Sequence, residues 1–162
     1  MERIWAPWRM TYITNAPPED VCIFCRAWEA NDDRELLLLV RREQSMIMLN
    51  RYPYTCGHVM LAPVRHTAGM DDLSDAELLD LMHGVRLACA LLRDAAQPHG
   101  FNIGINLGRA AGAGVEEHLH VHIVPRWNGD TNFMSVTGDV RIIPEGLMEA
   151  YDRLAAAFRA GS

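Results

Sequence analysis

Short apolar runs divided by polar clusters fill the first part of the chain. Leu36 to Val40 and Ser45 to Leu49 are two such runs, separated by Arg41 to Gln44, and read as two short strands joined by a turn. Arg51-Tyr52-Pro53-Tyr54-Thr55-Cys56-Gly57 is a loop by its proline and glycine. His58 to Ala62 resumes as a strand that Pro63 ends. The pattern then changes period. Ser74-Asp75-Ala76-Glu77 is a capping box, and Leu78, Leu81, Met82, Val85, Cys89 and Leu92 recur along one face of the helix it opens. That helix runs to about Gln97, weakened slightly by Gly84, and Pro98 stops it. Phe101 to Leu107 is a further strand. His118 to Val124 alternates with period two, and Pro144-Glu145 opens a C-terminal helix carrying Leu147, Tyr151, Leu154 and Phe158.

This order, strands then helix then strands then helix with tight connections, predicts an α+β fold. We expect a mainly antiparallel five-stranded sheet, one long central helix and a C-terminal helix. The length of 162 residues suits one domain spanning 1–162. Residues 1–20, with Trp5, Trp8 and Pro17-Pro18, read as an irregular arm, and residues 127–162 as a C-terminal loop and helix.

Composition narrows the partners. A hydrophobic fraction of 49% and a charged fraction of 22% are ordinary for a globular chain. A net charge of -6 argues against duplex nucleic acid as a partner, though not against a polyphosphate ligand held by local contacts. No stretch approaches a membrane span, and Met1 to Met10 does not resemble a signal peptide, so a cytoplasmic protein is expected.

The chemistry centres on His118-Leu119-His120-Val121-His122-Ile123-Val124. In a strand the three imidazoles share one face, neighbours about 7 Å apart, and Leu119, Val121 and Ile123 share the other. Such a row suits phosphorus chemistry or one metal site. Cys22-Ile23-Phe24-Cys25 is a CxxC pair, with the spacing of half a zinc site, a redox pair, or two buried thiols. His66 and His118 are the histidines available to complete a Cys2His2 set, on weak spacing grounds. Gly104 to Gly114 is glycine-rich, and its backbone N–H groups can approach phosphate oxygens. His83 and His99 read as structural or surface residues, and Cys89 as core.

The alternating segment is the histidine triad motif, H-φ-H-φ-H-φ-φ with φ apolar. The chain resembles the histidine triad superfamily of nucleotide hydrolases and transferases. Trp5-Ala6-Pro7-Trp8-Arg9, His118 to Arg126, and Trp127-Asn128-Gly129-Asp130-Thr131-Asn132-Phe133 together look most like the bacterial diadenosine tetraphosphate phosphorylases and hydrolases. The resemblance implies that His120 attacks the α-phosphorus and carries a nucleotidyl intermediate. It implies that His122 and His58 sit at the phosphates, Asn106 lies near the scissile bond and Asn50 holds ribose hydroxyls. It makes Cys22, Cys25, His66 and His118 a structural zinc site. It also implies a homodimer with a sheet continued across it, in which Trp127, Asp130 and Asn132 reach the neighbouring active site and help form its binding pocket, while Arg126 reads as a solvated or phosphate-facing rim residue.

One departure bears on the reaction. Many members carry Gly-Gln-Ser or Gly-Gln-Thr before the triad, whereas here Gly112-Ala113-Gly114-Val115-Glu116-Glu117 precedes it. Ala113 and Gly114 offer no side-chain hydroxyl, so Gly112, Ala113 and Gly114 are expected to act through backbone N–H groups. Phosphorolysis of diadenosine tetraphosphate to ADP and ATP is slightly favoured over hydrolysis of dinucleoside polyphosphates or of nucleoside phosphoramidates. Magnesium on the polyphosphate is compatible with either. A metallohydrolase using all three triad histidines and a non-catalytic nucleotide-binding module are the other readings.

Overall fold

The computed structural model describes residues 21–130 and 143–160. The N-terminal arm through residue 20, and Asn132 with the rest of 131–142, lie outside the described residues. The elements run α1 (Ile23–Glu29), β1 (Leu38–Arg41), β2 (Ser45–Leu49), β3 (Val59–Pro63), α2 (Asp75–Ala96), β4 (Gly100–Ile105), a 3-10 turn (Arg109–Ala111), β5 (Val121–Arg126) and α3 (Leu147–Ala160). The five strands form one antiparallel sheet in the order β1-β2-β3-β5-β4.

Every residue of β2 and β3 is buried, because apolar layers cover both sheet faces. On one side Ile47, Leu49, Val59, Leu61, Leu119, Val121 and Ile123 meet α2 and α3. On the other, Met46, Met48, Met60 and Ala62 meet Phe24 and Ala27 of α1. Each fully buried Val, Leu, Ile, Phe or Met side chain among them contributes about 1.5–3 kcal/mol.

The capping box of α2 is present in both directions. Ser74 Oγ accepts from Glu77 N–H and the Glu77 carboxylate accepts from Ser74 N–H. Arg65 holds that carboxylate in a two-pronged pair, and with the cap keeps the Glu77 pKa down at about 2. The helix ends at Gln97 in the left-handed conformation. Gly84 is where α2 presses onto the sheet: a Cβ there would meet both Leu61 methyls at 3.0 Å.

The structure corrects several boundaries. Leu36 and Leu37 belong to a turn, with Leu37 at φ 60°, so β1 starts at Leu38. Met82 is 58% exposed, off the helix face assigned to it, and Ala88 and Leu91 are buried instead. Helix α3 starts at Leu147, after Glu145 has turned to pair with Arg153. The largest correction concerns the triad. β5 begins at Val121, not His118. The β3–β5 ladder ends at Leu61–Val121, two residues short of Pro63, which has no N–H to extend it. Leu119 N–H bonds to the Thr67 carbonyl instead, beside the loop that follows β3. The alternation of faces survives: Leu119, Val121 and Ile123 are core, and the imidazoles lie opposite.

Candidate active site

His120 and His118 are joined by one short bond. His120 Nδ1 is 2.8 Å from the His118 carbonyl oxygen, so that nitrogen carries the proton and donates. Its Nε2 is left with the lone pair. The His120 ring is 4% exposed, and Phe24 packs on it at 5.1 Å and on His118 at 4.9 Å. Burial lowers the pKa of His120 below that of a free imidazole, which keeps Nε2 unprotonated at neutral pH.

His122 and His58 form a second chain with its own polarity. Tyr54 N–H points at His58 Nδ1 at 3.1 Å, and Asn50 Nδ2 lies 3.3 Å from Nδ1 and 3.5 Å from Nε2 of the same ring. The Tyr54 N–H on Nδ1 puts the His58 proton on Nε2, which lies 3.0 Å from His122 Nδ1. His122 therefore accepts at Nδ1 and carries its proton on Nε2. Adjacent rings thus hold opposite tautomers: His120 presents a lone pair at Nε2, His122 an N–H. Their ring centres are 4.8 Å apart, edge to face. Such a pair can attack a phosphorus and donate to its oxygens.

His58 is fully buried behind His122, and burial, then the neighbouring His122 and His120 rings, pushes its pKa down to about 3. Its reach toward a ligand runs through His122. Asn50 is also buried, and its Oδ1 caps Tyr52 N–H at 2.9 Å. Tyr54 stacks on His58 at 4.8 Å. Tyr54 and Phe24 are site residues the sequence reading missed. Phe24's position inside CxxC was the available signal; a backbone N–H such as that of Tyr54 leaves none.

Asn106 lies one step beyond the last β4–β5 pair, Ile105–Val121, which brings it level with His120. It donates to the Gly112 carbonyl at 3.5 Å, tying the glycine-rich loop to this end of β4. Gly112 has φ 87°, a backbone conformation open to glycine and strained for other residues. Ala113 and Gly114 lie on the same loop. Arg126, Trp127 and Asp130 stand at the opposite end of β5. Arg126 is bound to Asp130 at 2.6 and 2.8 Å and to Asn102 at 2.7 Å. The Trp127 indole N–H donates to the Ala96 carbonyl at the end of α2. Within one chain these residues are not gathered with the histidines.

Cys22, Cys25, His66 and His118 come together, their ligand atoms all within 4.8 Å of one another. His118 Nδ1 lies 3.2 Å from Cys22 Sγ and 3.7 Å from Cys25 Sγ, and His66 Nδ1 lies 3.3 Å from Cys25 Sγ. Sulfur and nitrogen bound to one tetrahedral zinc stand about 3.6 Å apart. The donor set therefore fits a closed structural zinc site. His118 Nε2 donates to the Pro63 carbonyl at 2.9 Å, leaving Nδ1 free for metal. Burial and Cys22 raise the Cys25 thiol to about 11. A doubly charged cation would offset that cost by holding the thiolate.

An open antiparallel sheet thus presents, side by side, an imidazole with a lone pair and an imidazole with an N–H. The HIT domain model matches residues 33–129. AP-4-A phosphorylase of Mycobacterium tuberculosis is 38% identical over 162 residues, spanning 96% of this chain and 83% of that protein. The asymmetrical bis(5'-nucleosyl)-tetraphosphatase of Schizosaccharomyces pombe is 37% identical over 90 residues, 56% of this chain and 49% of that one. Adenosine 5'-monophosphoramidase hnt1 of the same yeast is 32% identical over 107 residues, 66% and 75%. Among solved structures, a histidine triad nucleotide-binding protein of Sulfolobus tokodaii superposes with TM-score 0.68 at 29% identity, covering 86% of this chain and 91% of that one. A zinc-bound histidine triad protein of Mycobacterium smegmatis gives TM-score 0.67 at 27% identity, covering 86% and 94%. The chain belongs to the HIT domain family and is a HIT enzyme.

The neutral, buried histidines make stability depend on pH. His58 binds a proton freely when unfolded, near pH 6.5, but only near pH 3 when folded, so its contribution is complete above 6.5 and is lost as pH falls toward 3. Urea unfolding of wild type should lose about 1.4 kcal/mol per pH unit below 6 from this residue alone. His58→Gln should flatten the slope. An unchanged slope in that variant would contradict the assignment.

Proposed function

We propose that this chain cleaves dinucleoside polyphosphates at an α-phosphate through a nucleotidyl intermediate on His120, and that inorganic phosphate is the preferred acceptor. The observation that carries the reading is the bond from His120 Nδ1 to the His118 carbonyl, which leaves Nε2 as the nucleophile. Nε2 forms a bond to the α-phosphorus as the phosphorus–oxygen bond to the leaving nucleotide breaks. From diadenosine tetraphosphate, ATP leaves and AMP stays on the imidazole. Phosphate oxygen then displaces the imidazole, giving ADP; water in its place would give AMP. His122 Nε2–H, Asn106 and the backbone N–H groups of Gly112, Ala113 and Gly114 serve the phosphate oxygens. His58 and Asn50 act behind them, holding the His122 tautomer; any ribose contact by Asn50 is left to its amide N–H. The M. tuberculosis relative, named a phosphorylase, supports phosphate as acceptor. Magnesium, where used, travels on the polyphosphate, and the site of action is the cytoplasm.

In this reading zinc on Cys22, Cys25, His66 and His118 is structural, holding the residue whose carbonyl orients the nucleophile. The working unit is a homodimer with a sheet continued through β4. Ile103, on the helix-side face of that edge strand, is 50% exposed, and Met82 and Leu79 on α2 are exposed as well. Trp127 and Asp130, at the far end of β5 from the histidines of their own chain, would serve the neighbour's site, as would Asn132, with Arg126 anchoring Asp130.

Product analysis tests the reaction. Diadenosine tetraphosphate with inorganic phosphate should yield ADP plus ATP, and omission of phosphate should suppress turnover; AMP plus ATP in both cases would make the enzyme a hydrolase. His120→Ala should lower kcat about a thousandfold or more with zinc content unchanged. For the metal, elemental analysis should find about one zinc per chain in wild type. Cys22→Ser should lose it and melt about 5 °C lower or more; equal zinc in both proteins would refute the site. For the dimer, sedimentation velocity should give twice the chain mass for wild type and the single mass for Ile103→Lys.

A further inference from the structure

The glycine-rich loop offers a polyphosphate few side-chain donors. Ala110, Ala111, Gly112, Ala113, Gly114 and Val115 have none. Arg109, at the start of the 3-10 turn, is the exception. The chain has no lysine, so all 15 basic side chains are guanidinium groups. Most described arginines near the sheet are committed: Arg126 to Asp130 and Asn102, Arg42 to Asp80, Arg65 to Glu77, Arg153 to Glu145. Arg109 differs. Its side chain is 90% exposed, and its ion pair is with Glu116 at 3.6 Å, longer than a hydrogen bond.

Position gives that loose pair its meaning. The loop is tied by Gly112 to Asn106, level with His120. Glu116 stands two residues before His118. The pair with Glu116 thus holds the guanidinium to the segment that leads into His118. Two carboxylates, Glu116 and Glu117, directly precede His118 on a chain of net charge -6. An incoming polyphosphate meets like charge there unless a cation intervenes.

Building on the nucleotidyl-histidine reading above, we propose that Arg109 is the specificity residue for long phosphate chains: on binding it exchanges the Glu116 carboxylate for phosphates beyond the scissile one. A planar fork that holds a carboxylate loosely can hold two phosphate oxygens tightly. Substrates with a single phosphate do not reach it. The pair with Glu116 then sets how readily the cation is released to substrate.

Steady-state kinetics on diadenosine tetraphosphate and on adenosine 5'-monophosphoramidate separate the possibilities. Arg109→Gln should raise KM for the tetraphosphate about tenfold with kcat little changed, the loss of one charge-assisted contact. The ratio of kcat/KM for tetraphosphate to that for phosphoramidate should fall by about the same factor. Arg109→Lys should recover part of it, and Glu116→Gln should lower the tetraphosphate KM by about threefold. An unchanged melting temperature in Arg109→Gln rules out a folding defect as the cause. Equal losses on both substrates, or no loss on either, would overturn the proposal. Wild type inactive on both would instead refute the catalytic reading, and this inference with it, before any variant is made.

Discussion

The site depends on a backbone carbonyl. His118 uses its ring to join Cys22, Cys25 and His66, its Nε2–H to hold Pro63, and its carbonyl to hold His120 Nδ1. Each contact removes a freedom from the next residue. A buried imidazole with one nitrogen saturated has one chemical role left, and here it is the lone pair on Nε2 of His120. The polarity of the neighbouring ring is set independently, from Tyr54 N–H through His58. Two adjacent imidazoles can therefore differ in tautomer without differing in residue type.

Both faces of the sheet must be covered for this to hold. In a one-sided sheet the histidine face would be wet, and water would compete for every ring nitrogen. Phe24 and the methionines of β2 and β3 make that face dry, which strengthens each bond among the rings and keeps them neutral.

Much of this was legible in the residues. Ser74 and Glu77 announced the long helix, and the period-two run announced which imidazoles share a face. The Cys2His2 grouping followed from resemblance, and the structure gathers those four residues. What was not legible rested on partners distant in sequence. The start of β5 is set by Pro63 on another strand, and Met82 turns outward because Leu81 and Val85 take the space over the sheet. That Asn50 caps Tyr52, and that Arg126 grips Asp130 and Asn102 away from the histidines, needed three dimensions. Residue type identified the chemistry of each group; only the fold said which groups were already in use.

The burial of the sheet is lopsided, and that has a mechanical consequence. β5 lies between β3, buried along its whole length, and β4, whose Asn102, Ile103 and Gly104 face solvent. Amides of β2 and β3 should open only with global unfolding, whereas the exposed glycine-rich loop behind β4 belongs to the low-energy end of local opening. His120 thus sits at a seam, with a stiff wall behind it and a compliant one beside it. Stiffness aims the Nε2 lone pair of His120; compliance lets the space beside it take groups of different bulk.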